Sequence, residues 1–144
     1  MCQSSYLSNS DFTLSGTYNC PGPVYIDSFY GHMTLRNLFI TASAIYIRTD
    51  SGVSIINSSI STFADVDPML LPSSLTIRSD SYFADSSSFS STKDMFLFSS
   101  SSLTWINSTT NLDSLTFGDT DIAVLVVLMR LSVLLCLRCH LQKR

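Results

Sequence analysis

Between Phe12 and Phe117 the apolar residues come in bursts of three to six, rich in Ile, Val, Tyr and Phe. No stretch of a dozen residues holds them at the i, i+3, i+4, i+7 spacing of an amphipathic helix. They alternate instead: Val24 and Ile26, Leu35, Asn37 and Phe39, Ile45 and Ile47, Val53 and Ile55, Leu75 and Ile77, Leu103 and Trp105. Alternation puts every second side chain on one face of a pleated strand, so each burst predicts a short strand with one buried face. Turn-forming residues separate the bursts, as in Thr49-Asp50-Ser51-Gly52 and Phe117-Gly118-Asp119. Composition points the same way. The 144 residues include 28 Ser and 13 Thr but only two Lys and no Glu, so the usual surface residues of a helical bundle are missing. The predicted class is mainly β, within a single domain's length of chain.

The bursts also echo one another. Ile47-Arg48-Thr49-Asp50-Ser51 returns as Ile77-Arg78-Ser79-Asp80-Ser81, and Ile56-Asn57-Ser58-Ser59 as Ile106-Asn107-Ser108-Thr109. Phe63-Ala64-Asp65 returns as Phe83-Ala84-Asp85, and Ser-Leu-Thr occurs at Ser74, Ser102 and Ser114. Residues Met33 to Ser61, which read MTLRNLFITASAIYIRTDSGVSIINSSIS, resemble coils of a right-handed parallel β-helix of the pectin-lyase-like type. The resemblance implies a partial β-solenoid, in which each coil is stable only when stacked on its neighbours. An ordinary small β-sheet or sandwich is the alternative. Ser86–Ser91 and Ser99–Ser102 are near low complexity, and at least one is expected to be mobile for want of buried side chains. Asp65-Val66-Asp67-Pro68 and Leu71-Pro72 mark a loop.

The composition changes at Asp121. Ile122–Leu137 is sixteen residues with only Arg130 and Ser132 as polar interruptions. As a helix it would rise about 24 Å, somewhat short of a hydrocarbon core of roughly 30 Å. Its eleven Leu, Ile and Val supply very roughly −5 kcal/mol of insertion free energy, against roughly +3 for Arg130. The chain therefore divides into a Ser/Thr-rich β body over 1–120, a transmembrane helix over 121–138, and a basic tail over 139–144. Membrane lipid is the expected partner of Ile122 to Leu137, which makes a single-pass C-terminal anchor. Residues 1–15 hold neither a basic nor an apolar leader segment. The basic end after the run places the tail in the cytoplasm by the positive-inside rule. A chain inserted only after synthesis would keep the body there instead.

Few residues invite a specific chemistry. With a net charge of −3, no cationic surface displaces counterions from phosphate, which excludes a nucleic-acid binder. Cys136-Leu137-Arg138-Cys139-His140 has the spacing of covalent haem attachment, but its place at the end of an apolar run favours two juxtamembrane thiols, free or palmitoylated. No cofactor and no metal is expected. Cys2 and Cys20 either form a disulfide, if the body lies in an oxidising compartment, or are simply buried. Asn57 and Asn107 open glycosylation sequons, relevant only to a lumenal body. His32 is the one histidine of the body and reads as a turn or edge residue, so no catalytic residue is assigned and an enzyme is not expected. Asp27, Arg36, Arg48, Asp50, Arg78 and Asp80 are scattered along the chain, as are Tyr25, Tyr30, Tyr46 and Trp105. The function expected is a membrane-anchored binding or display body. A fragment or spurious reading-frame product without a selected function is the alternative, and a carbohydrate-active β-helix protein a second.

Overall fold

The computed structural model describes residues 2–63, 75–91, 94–111, 114–118, 125–128 and 139–141. Its strands, in chain order, are β1 (Ser5–Ser8), β2 (Phe12–Asn19), β3 (Val24–Ser28), β4 (Met33–Ala42), β5 (Ile45–Thr49), β6 (Gly52–Ile56), β7 (Ser59–Thr62), β8 (Leu75–Asp85), β9 (Ser88–Ser90), β10 (Asp94–Ile106), β11 (Thr109–Asn111), β12 (Ser114–Gly118), β13 (Leu125–Leu128) and β14 (Cys139–Leu141). Every pairing between them is parallel.

The pairings form three ladders. The first runs β1, β3, β5, the start of β8, the start of β10, β12 and β14. The second takes the start of β2 and of β4, then β6, the end of β8, the end of β10 and β13. The third takes the end of β2 and of β4, then β7, β9 and β11. One chain winding through three parallel ladders is a β-solenoid, the architecture implied by the resemblance of residues 33–61.

The sequence pattern explains why the coils stack. Ile26, Ile47, Ile77 and Leu97 are successive register partners on the first ladder, all buried. Ile40, Ile60 and Phe89 do the same on the third. Both rows belong to one continuous apolar cluster. Each fully buried aliphatic side chain contributes roughly 1.5–3 kcal/mol relative to exposure. Successive coils advance by about twenty residues, as from Tyr25 to Tyr46. The step from Ile47 to Ile77 is longer by about ten, and it contains 64–74. The loop expected at Asp65–Pro68 and Leu71–Pro72 therefore lies outside the described residues.

The corner between the second and third ladders is built from the Asn-Ser echo. Asn37, Asn57, Ser86 and Asn107 all have φ near +50°, the left-handed region that Asn tolerates better than most residues. Asn57 Nδ2 donates to Asn37 Oδ1 at 2.7 Å. The next residue turns inward: Ser58, Ser87 and Ser108 are buried. Ser58 Oγ accepts the Leu38 N–H, Ser87 Oγ accepts the Ser58 N–H, and Ser108 Oγ accepts the Ser87 N–H, at 3.1, 3.2 and 3.1 Å. This hydroxyl ladder satisfies backbone donors that the turn takes out of the sheet.

Two of the expectations fall partly on described residues. Ser86–Ser91, one of the two near-low-complexity segments, supplies the corner and β9, with Ser87, Phe89 and Ser91 buried against neighbouring coils. Ser99–Ser102 lies within β10, at a register irregularity. The expected helix over Ile122–Leu137 is described only at Leu125–Leu128, where the chain is a strand paired with Leu103–Ile106. β-Branched and Leu-rich runs this short suit either state, and the parallel edge of β10 gives a strand its hydrogen bonds. No helix among the described residues is long and apolar enough to cross a membrane.

Candidate functional site

The outer face of the first ladder collects the residues that the sequence scatters. Alternation points Val24, Ile26 and Ser28 inward and leaves Tyr25 and Asp27 outside, and each coil repeats the choice. Ser5, Tyr25, Tyr46, Thr76 and Phe96 are consecutive register partners, and so are Leu7, Asp27, Arg48, Arg78 and Phe98. Asp50 and Asp80 follow two residues after the two arginines. Of the six charged residues noted in the sequence, all but Arg36 therefore share one surface. Arg36 stands apart on the second ladder, beside Ile56.

The Tyr25 and Tyr46 rings stack with centroids 5.0 Å apart and planes 10° from parallel. Beyond Tyr25 the row continues only with Ser5, so the outer ring face is not covered by another aromatic, and Tyr25 is 40% exposed. Arg48 and Arg78 are both exposed on adjacent strands. Like charges side by side oppose stability, and the Arg48 guanidinium lies over the Phe29 ring at 5.4 Å. A cleft of about 510 Å³ opens at this end of the face, lined by Thr49, Asp50, Thr76, Arg78, Asp80 and Phe98 together with Ser79 and Ser99. Ser99 Oγ donates to the Asp80 carbonyl at 3.1 Å. Ser79 Oγ is buried and has no hydrogen-bond partner among the described residues, an arrangement that favours a polar group arriving from the cleft.

The other residues singled out in the sequence lie elsewhere. Asn57 and Asn107 are exposed at the Asn-Ser corner, lining a shallow hollow of about 230 Å³ with Phe39. Tyr30 projects into solvent, 84% exposed. Trp105 belongs to β10. Cys139 opens β14, and Cys136 lies outside the described residues. Cys2 and Cys20 form a disulfide with Cα atoms 5.5 Å apart, tying the entry of β1 to the turn after β2. His32 is not merely a turn residue, since its Nε2 meets Ser54 Oγ at 2.8 Å. Among the described residues no group of three or more His, Cys or Asp side chains is placed to hold a metal ion.

The assembled face was hidden in the sequence because coil length is uneven. Tyr25 and Tyr46 are 21 residues apart, whereas Arg48 and Arg78 are 30 apart. A fixed period aligns only part of the set. Comparison with protein-family models, with curated proteins and with solved structures gives no match.

Proposed function

We propose that the outer face of the first ladder binds a neutral, hydroxyl-rich chain, a polysaccharide running across the coils. The observation that carries the reading is the Tyr25–Tyr46 stack in register with a mixed row of donors and acceptors. An aromatic face presents an apolar surface to the C–H side of a sugar ring, with polar groups alongside for its hydroxyls. Two Arg and three Asp leave the face with a small net charge, which suits neither a polyanion nor a polycation. The unpartnered Ser79 hydroxyl and the cleft beside it add a second polar subsite. The role is retention or display rather than turnover.

The test is calorimetry and array binding of the full chain against neutral polysaccharides. Binding is expected to weaken by about ten-fold in Y25A, a loss typical of a central aromatic anchor, and to weaken further in Y25A/Y46A. Absence of binding to every neutral polysaccharide, or equal binding by Y25A/Y46A, refutes the reading.

A further inference from the structure

A second cluster lies on the outer face of the second ladder and shares no residue with the aromatic row. His32 Nε2 stands 2.8 Å from Ser54 Oγ. His32 precedes β4 and Ser54 lies on β6, where its register partner is Thr34, so the imidazole reaches across one coil.

Three features hold it there. Asp11 Oδ1 accepts the His32 backbone N–H at 2.7 Å. Gly31 is buried against the Ser10 and Asp11 backbone so closely that a Cβ would overlap both, which fixes the chain just before His32. Gly52 leaves room beneath the ring: a Cβ there would stand 2.7 Å from His32 Nδ1 and 2.5 Å from Ser81 Oγ. His32 and Ser54 are both half-buried.

A hydroxyl hydrogen-bonded to a held imidazole is the nucleophile–base pairing of acyl transfer. We propose that Ser54 is an activated nucleophile with His32 as its general base, acting on small acyl esters. With the ring proton on Nδ1, Nε2 takes the Ser54 hydroxyl proton as an Oγ lone pair bonds to the ester carbonyl carbon. The C=O π pair moves onto oxygen. Its return breaks the bond to the leaving alkoxy oxygen, which takes the proton from Nε2 and departs as an alcohol. A water molecule, deprotonated by the same nitrogen, then attacks the acyl-Ser54 carbonyl. Collapse of that adduct breaks the bond to Oγ, which takes the proton back and releases the carboxylic acid. Phe83, half-buried and the register partner of Ser54 on the next coil, supplies apolar contact for the acyl chain.

The full chain treated with a small fluorophosphonate tests this, read by intact mass and peptide mapping. A single adduct is expected on Ser54, absent in S54A and formed at least ten-fold more slowly in H32Q. Because H32Q also alters the packing at Asp11 and Gly52, a measurement on the unaltered chain stands beside it. Carbethoxylation of His32 with diethyl pyrocarbonate is expected to suppress labelling, and hydroxylamine to restore it. No adduct, adducts spread over several serines, or undiminished Ser54 labelling after carbethoxylation overturns the proposal.

Discussion

Removing one hydroxyl from the corner ladder tests the solenoid where its chemistry is most specific. Ser58 is 4% exposed. Its Oγ accepts the Leu38 N–H at 3.1 Å and donates to the Ile56 carbonyl at 2.8 Å. In S58A the Leu38 N–H stays buried without an acceptor, at a cost of about 1–3 kcal/mol. At about 2–4 °C per kcal/mol for a chain of roughly this size, the melting temperature falls by about 4–8 °C for a mid-range loss. S87A strands a different donor, the Ser58 N–H, and carries a similar cost. Because the Ser58 N–H donates to Ser87 Oγ, the two residues share one hydrogen-bonded ladder, and S58A/S87A is expected to depart from additivity by about 0.5 kcal/mol or more. The outward-facing S59A is the control and changes stability by no more than about 0.5 kcal/mol. Urea and thermal unfolding followed by circular dichroism read all four. Losses in S58A and S87A no larger than that of S59A would refute the buried ladder.

Other perturbations follow from the same geometry. Asn57 sits at φ 48°, so N57V destabilises by about 1–3 kcal/mol while N57G stays close to the parent, as paired denaturation curves will show. Reducing the Cys2–Cys20 bond releases a loop whose closure is worth about 3 kcal/mol, and a melt with and without reductant measures it. Burial pushes the Tyr82 phenol well above the ordinary tyrosine value of 10.0. The folded chain therefore holds that proton where the unfolded chain releases it, and stability falls as pH rises past 10. Y82F flattens that alkaline limb in a pH series of unfolding curves, and an unchanged limb would remove Tyr82 as its cause.

Strand type and the solenoid were legible because alternation and the echoes record stacking directly. Ile47–Ser51 and Ile77–Ser81 recur because Ile47 and Arg48 sit on Ile77 and Arg78. The Ile-Asn-Ser echo, readable as two sequons, has a structural cause as well. Asn takes the left-handed turn, and the following Ser caps a buried N–H. What escaped the sequence came from outside each segment. Within Ser86–Ser91, Ser87 is held by hydrogen bonds that neighbouring coils accept and donate. The charged face appears only once the longer step between β5 and β8 is known. Leu125–Leu128 is equally apolar as helix or strand and pairs with the edge of β10, while the rest of Ile122–Leu137 lies outside the described residues. His32 could not be paired with one serine among 28 without the register that places Ser54 beside it.

Parallel, in-register stacking of coils is the central claim, and engineered cross-linking tests it most directly. Ser61 and Ser90 are register partners on β7 and β9, 29 residues apart in sequence. Their Cα atoms lie about 5 Å apart across neighbouring strands, within disulfide reach. Ser59 and Ser90 are two residues out of register, about 8 Å apart, and beyond it. With Cys136 and Cys139 replaced by serine, S61C/S90C is predicted to close rapidly under mild oxidation while S59C/S90C stays reduced. Equal closure of the two pairs, or closure of the second alone, would contradict the fold.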